Sequence, residues 1–180
     1  MTIIVNLVAG PGAGKSTTAA GTFFELKQAG VNCELVTEYA KDLVWGRTTT
    51  TLGNQIYIFG KQYHRLWRLL DQVDVVVTDC PLFLSLYYGK RESETFKALA
   101  LETFNSMDNM TFFLARQKRF NPAGRMQNEE QARLIDAELL KLLLEHDVDF
   151  DRIDADAAAP KIIRDYVMEE LERRGRAGEG

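Results

Sequence analysis

The stretch IIVNLVAGPGAGKSTTA, residues 3–19, decides how the rest of the chain is interpreted. It begins as an apolar run, passes through three glycines at positions 10, 12 and 14, and ends in Lys-Ser-Thr. A short apolar run followed by clustered glycines is typical of a buried strand that ends in a tight turn. The sequence therefore predicts a strand, a glycine-rich loop and then a helix, in that order.

Short apolar runs and longer helical patterns continue to alternate along the chain. The nearly continuous apolar character of the runs is typical of strands buried on both faces of a parallel sheet. Strands are predicted at residues 2–9, 32–37, 73–79, 110–115 and 149–154. Helices are predicted at residues 15–29, 54–71, 92–106, 128–146 and 160–174. This order predicts an α/β fold: a three-layer, doubly wound, five-stranded parallel sheet with right-handed crossovers.

Bulk composition favours a single globular domain over residues 1–174, followed by a flexible tail at 175–180. The net charge of -4 argues against a global basic field that would draw the chain onto nucleic acid. We expect no membrane partner, because no run approaches the roughly 18 apolar residues of a membrane span. Two cysteines and the lack of a basic, signal-like start predict a cytoplasmic protein. The oligomeric state stays open.

The loop AGPGAGKST, residues 9–17, has the composition of a phosphate-binding loop between a strand and a helix. Its glycines let backbone N–H groups turn towards phosphate oxygens, and the following helix points its positive end at the same oxygens. Lys15 can reach the β- and γ-phosphates, and the Ser16 hydroxyl can ligate Mg²⁺. Ala9 stands where the strict pattern has glycine. The predicted ligand is ATP with Mg²⁺, held by Gly10, Pro11, Gly12, Ala13, Gly14, Lys15, Ser16 and Thr17.

Asp79 ends the third predicted strand, where its carboxylate can help to hold Mg²⁺ beside the phosphate loop. In motor NTPases the corresponding acid is commonly followed by a glutamate that activates water, whereas Cys80 follows here. The missing base argues against a dedicated hydrolase. A transfer enzyme is therefore the favoured class.

Glu38 follows the second predicted strand and faces the same crevice of the sheet. A carboxylate there can accept the proton of a hydroxyl that attacks the γ-phosphate. Its alternative roles are a helix N-cap or a surface charge.

A basic segment follows the fourth predicted strand, with Arg116, Arg119 and Arg125 around an Asn-Pro-Ala-Gly turn. A basic segment with such a turn is what a closing lid needs, because it excludes water and brings positive charge to the transferring phosphoryl group. We predict a lid near residues 116–128, with all three arginines catalytic and Lys118 equally well explained as a solvated charge.

The phosphate loop, Glu38 in TEYAKDL, Asp79 in VVTDCP and the segment RQKRFNPAGRMQNEEQARLID together carry a family resemblance. Over residues 3 to about 154 the chain resembles the small P-loop kinases of nucleosides and nucleotides. It is most similar to the ribosylnicotinamide-kinase-like AAA-domain proteins that bacteriophages often encode. The resemblance implies that Glu38 binds the acceptor, Asp79 lies near the metal and the three arginines belong to the lid.

The resemblance leaves the acceptor open, because related kinases place an arginine where this chain has Cys80. A nucleoside is then as plausible an acceptor as a nucleotide. Trp45, Tyr87 and Tyr88 are candidates for stacking on its base, whereas Tyr63 and Trp67 are expected to pack their helix against the sheet.

Three functions remain as alternatives. The first is a kinase that phosphorylates a hydroxyl or phosphate of a free nucleoside or nucleotide. The second is a kinase that acts on a base or an end within DNA, for which Lys61, Arg65 and Arg68 share one helical face. The third is a P-loop NTPase without a small-molecule acceptor.

Overall fold

Five parallel strands form one sheet in the computed structural model, which describes residues 1–117 and 128–178, with side chains through residue 175. The strands are β1 (Ile3–Val8), β2 (Cys33–Val36), β3 (Val75–Thr78), β4 (Asp108–Ala115) and β5 (Asp151–Asp154). Their order across the sheet is β2-β3-β1-β4-β5. All five lie where the apolar runs predict them.

β1 is the central strand, and its six residues are all buried. Ile3 is in register with Val75 of β3 on one side and with Asp108 of β4 on the other. The chain leaves β1 towards β2 on one side and crosses later from β3 to β4 on the other. The strand order therefore reverses beside β1, and ligands of open α/β sheets bind at the carboxyl end of such a reversal.

The described chain has seven α-helices and one 3₁₀ helix, of which all but the last α-helix lie between strands. The helices that the sequence predicts are α1 (Lys15–Gln28), α3 (Gln55–Trp67), α5 (Glu94–Asn105), α6 (Glu129–Glu145) and α7 (Ala159–Gly178). Three further short helices lie in segments without a predicted element: α2 (Tyr39–Trp45), a 3₁₀ helix (Thr49–Gly53) and α4 (Leu84–Tyr88). Within the described part of the chain, no helix has the length and apolarity of a membrane span.

The helices cover both faces of the sheet and make a three-layer α/β arrangement. On one face, Ile3, Val5 and Leu7 of β1 pack in a core with residues of α1 and α7. On the other, Ile4 and Val8 pack with residues of α3, α4, α5 and α6. Alternate side chains of β1 thus pack into two separate apolar cores, because successive side chains of a strand point to opposite faces of the sheet and helices cover both faces.

The buried face of α3 differs from the predicted one. Tyr63 packs against the second core as expected, but Trp67 is 55% exposed, so the prediction for Trp67 is wrong. Phe59 and Leu66, which the apolar spacing also places on that face, are buried, together with Ile58 and Gln62. The polar Gln62 side chain is buried on this face, where it bonds to backbone groups of Thr37 and Tyr39.

We predict that Gly21→Ala destabilises the fold by about 1–3 kcal/mol, the usual cost of overpacking. A Cβ atom at Gly21 of α1 would lie 2.6 Å from Cγ of Pro160 on α7, so the two helices would have to separate. The matched control is Gly60→Ala on α3, where a Cβ meets nothing within 4 Å and should stabilise by up to about 1 kcal/mol. Urea unfolding of both variants measures the difference. Equal effects would contradict close packing of α1 on α7.

Candidate active site

The loop between β1 and α1 has the backbone conformation that its glycines predict. Gly12 has φ 80° and Gly14 has φ 112°, which are left-handed values that glycine adopts without strain. Gly14 occupies the N-cap position of α1, and it carries no side chain that could cap the helix. The N–H groups at the start of α1 therefore remain available for an anion.

Lys15 is the first residue of α1, and its amine folds back over the loop. Its Nζ donates to the carbonyl oxygen of Ala9 at 2.7 Å and contacts that of Gly10 at 3.4 Å. Ala9 itself is fully buried in the first core, so its methyl group packs where the strict pattern has glycine. The charge of Lys15 is thus held beside the loop that the sequence assigns to phosphate.

Asp79 joins the phosphate loop to the end of β2. This carboxylate is 3% exposed and accepts two hydrogen bonds from different elements. Its Oδ2 accepts from the Ser16 hydroxyl at 2.5 Å, and its Oδ1 accepts from the Glu38 backbone N–H at 3.0 Å. Lys41 of α2 adds a bond from its Nζ to Ser16 Oγ at 3.3 Å. A hydroxyl beside a carboxylate is an oxygen donor set that suits Mg²⁺.

Glu38 lies at the N-cap position of α2, but its side chain accepts no capping hydrogen bond. The residue is half-buried. Burial raises the pKa of this carboxyl above its ordinary value, and the negative charge of Asp79 adds to the rise, against the lowering effects of Lys15 and Lys41. The Glu38 side chain therefore faces the charges of the phosphate loop, as an acid that could serve an acceptor must.

Gln62 of α3 fixes the segment that carries Glu38, and it is a residue that our sequence analysis did not identify. Its Oε1 accepts the Tyr39 N–H at 2.9 Å, and its Nε2 donates to the Thr37 carbonyl at 3.5 Å. Arg65 donates to the same carbonyl at 3.1 Å. The sequence does contain a hint, because Gln62 lies between the apolar residues Phe59 and Leu66 of a predicted helix. Glutamine is uncommon on the buried face of a helix.

Arg116 follows β4 and lies against the phosphate loop, with its side chain 3% exposed. Its Nη2 donates to the Pro11 carbonyl at 2.9 Å, and its guanidinium pairs with Asp136 of α6 at 3.0 Å. Asp136 also accepts the Gly10 N–H at 2.6 Å. Asp136 is not among the predicted site residues, because nothing near it in sequence marks it as a partner of a loop more than a hundred residues away.

The remaining predicted site residues are either outside the described residues or not bonded to the loop. Arg119, Arg125 and most of the predicted lid lie outside the described residues. Thr17 is exposed on α1. Among the aromatic candidates, Trp45 is 75% and Tyr88 44% exposed, whereas Tyr87 donates its hydroxyl proton to Glu138 at 2.6 Å.

Cys80 lies beside the site, and burial raises the pKa of its thiol well above the ordinary range, with further contributions from Glu38 and Asp79. The thiol is therefore protonated near neutral pH, and it neither carries charge nor acts as a base there.

The structure thus brings residues from four separate segments to the carboxyl edge of the sheet: Lys15, Ser16, Glu38, Asp79 and Arg116. They combine a glycine-rich loop at a helix N-terminus, a hydroxyl beside a buried carboxylate, and a second carboxylate that accepts no capping bond. Neither a scan of the chain against protein-family models nor a search of curated proteins returned a match. The chemistry of these side chains therefore carries the functional argument.

We predict that Glu38→Gln stabilises the protein at pH 7 and changes its stability much less at pH 4. The pKa of Glu38 is raised by folding, so its favourable contribution is present below the unfolded value and is lost as the pH rises through the folded one. The neutral amide of glutamine does not ionise, so the variant does not lose stability as the pH rises. We expect its Tm at pH 7 to be higher than that of the parent by on the order of 2 °C. Thermal unfolding at both pH values measures it.

The control is Glu102→Gln on the exposed side of α5, which should show no such difference between the two pH values. A destabilised Glu38→Gln variant at pH 7 would mean that the attraction of Lys15 and Lys41 outweighs the cost of burial.

Proposed function

We propose that this protein is a P-loop kinase that transfers the γ-phosphoryl group of ATP to a hydroxyl or phosphate of a nucleoside or nucleotide. One observation carries the proposal: the Asp79 carboxylate holds Ser16 of the phosphate loop and the backbone of Glu38 at the same time. A phosphate-binding loop and an acid suited to an acceptor thereby share one partner.

The phosphate loop supplies the donor side of the reaction. Backbone N–H groups at the start of α1 bind phosphate oxygens, and Lys15 moves from the Ala9 carbonyl to the β- and γ-phosphates. Ser16 and Asp79 would hold Mg²⁺, and a bound Mg²⁺ would neutralise part of the negative charge on the phosphates. Arg116 adds positive charge at the outer edge of the loop.

Glu38 supplies the acceptor side. It takes the proton from the acceptor hydroxyl, the freed oxygen attacks the γ-phosphorus, and the bond to the β-phosphate oxygen breaks to release ADP. The raised pKa of Glu38 strengthens it as a base, because a pKa closer to the operating pH favours general base catalysis.

The neighbours of Asp79 favour transfer over hydrolysis. A dedicated hydrolase needs a base that activates water beside the metal-binding acid, and Cys80 occupies that place. Its protonated thiol does not accept a proton from water. The acid that does face the loop, Glu38, lies at the end of β2, where an acceptor can enter.

A second candidate function is the same phosphoryl transfer to an acceptor within a polynucleotide. A groove of about 380 Å³ lies between the end of β2 and α3, next to the segment that carries Glu38. Its lining includes Tyr39, Lys61, His64, Arg65 and Arg68. Such a basic, partly aromatic groove is suited to backbone phosphates that flank a reacting nucleotide.

We predict that Lys15→Ala abolishes transfer without unfolding the protein, because its amine serves phosphate charge and not core packing. Glu38→Gln should keep the thermal shift that Mg·ATP produces, and it should lower transfer by a factor on the order of 10². The assay incubates the protein with Mg·ATP and a panel of nucleosides and nucleotides, and mass spectrometry detects phosphorylated products.

The matched control is Glu34→Gln on β2, the strand that precedes Glu38, where the carboxylate pairs with Lys27 at 3.6 Å. It should transfer at the parental rate. Full activity in a folded Lys15→Ala variant, or equal loss of hydrolysis and transfer in Glu38→Gln, would contradict the assigned roles.

For the second candidate, we predict that single-stranded oligonucleotides bind with an affinity that falls steeply with salt concentration. Arg68→Ala and Lys61→Ala should each reduce the slope of log affinity against log salt by about 0.7. Fluorescence anisotropy over a salt series measures the slope, and Lys161→Ala on α7 is the control. Weak binding with no salt dependence would leave free nucleosides or nucleotides as the acceptor.

A further inference from the structure

Helix α6 lies in direct contact with the first half of the phosphate loop. The Gly10 N–H donates to Oδ1 of Asp136 at 2.6 Å. A Cβ atom at position 10 would lie 2.7 Å from both that oxygen and the Ala132 carbonyl oxygen, so no side chain fits there. Gly10 is therefore needed for close approach to α6, and its N–H is committed to Asp136.

The other oxygen of Asp136 holds Arg116. Both Nε and Nη2 of the guanidinium lie 3.0 Å from Oδ2, and Nη2 also donates to the Pro11 carbonyl. The two side chains are largely buried, at 3% exposed for Arg116 and 17% for Asp136. One carboxylate thus binds the backbone of Gly10 and a guanidinium that itself binds the next residue of the loop.

One nitrogen of this guanidinium has no acceptor in the part of the chain that the structure describes. Nη1 of Arg116 is buried and makes no hydrogen bond with the described residues. A buried donor without a partner is costly, and a charged one more so. A phosphate oxygen is a strong acceptor for a guanidinium. The Arg116 guanidinium is bonded to the loop that the proposed function assigns to phosphate.

We propose that Asp136 is a positioning residue for the nucleotide: it fixes the entrance of the phosphate loop through Gly10 and holds Arg116 so that Nη1 donates to a phosphate of bound ATP. This inference rests on the proposed function. Asp136 then holds Arg116 against the loop, and the binding of ATP has to uncover Nη1 before a phosphate oxygen can reach it.

The two contacts of Asp136 can be separated by substitution. Asp136→Asn keeps an oxygen that can accept from Gly10, but it turns an N–H₂ group towards the guanidinium, where two donors face each other. Asp136→Ala removes both contacts. The asparagine variant therefore tests the contact between Asp136 and Arg116 alone. The alanine variant tests that contact and the hydrogen bond from Gly10 together.

The experiment measures Mg·ATP affinity by titration and the rate of ADP formation from Mg·ATP in the presence of the panel of nucleosides and nucleotides. We expect Asp136→Asn to lower kcat by a factor on the order of 10², as for loss of one oriented donor, with KM for ATP changed less than threefold. Asp136→Ala should lower kcat similarly and also raise KM, by about tenfold. A merely structural residue would not split kcat from KM in this way.

A mutant cycle shows whether Asp136 acts through Arg116. Arg116→Ala should cost as much in kcat as Asp136→Asn, and the double variant should cost no more than either. The control is Glu138→Gln, two residues along α6, whose carboxylate binds Tyr87 and Lys90 and not the loop. It should leave kcat and KM unchanged.

The outcomes separate the two proposals. A parent protein that binds no Mg·ATP overturns the proposed function and this inference with it. A parent that binds and turns over ATP, with unchanged kcat in a folded Asp136→Asn variant, overturns the inference alone. Additive losses in the double variant do the same, because Arg116 and Asp136 would then act independently.

Discussion

The hydrogen bonds of the Asp79 carboxylate are the interaction on which the candidate site depends. Asp79 is buried at the end of β3, and its oxygens accept from Ser16 and from the backbone of Glu38. A buried carboxylate is tolerated only where such donors satisfy it. Asp79 can accept both hydrogen bonds only if α1, β3 and the start of α2 lie next to one another. This arrangement sets the geometry of the candidate site.

The same constraint explains the electrostatics around Glu38. Asp79 draws the Glu38 backbone towards the loop, and the Glu38 carboxyl is thereby placed between a negative neighbour and the positive side chains of Lys15 and Lys41. Burial raises the pKa of the Glu38 carboxyl, and perturbed pKa values of this kind cluster at functional sites.

α6 makes a second junction on the opposite side of the loop. Asp136 and Arg116 form a buried pair whose geometry is fixed by loop backbone groups at Gly10 and Pro11. Ion pairs of this kind contribute little net stability, because desolvation offsets much of the attraction. Their effect is on position, and here they fix the loop relative to β4 and α6.

The sequence by itself determined the five strands, the five longer helices and the strand–loop–helix unit around Lys15, since hydrophobic period and glycine placement are local properties. It also placed Glu38, Asp79 and Arg116 at the carboxyl ends of strands. The exposure of Trp67 on α3, the burial of Gln62 and the link from Asp136 to Gly10 were decided by tertiary structure alone. Those features arise from contacts between residues far apart in the chain, where a buried polar group takes whichever partner the packing brings within reach, and no local pattern records that partner.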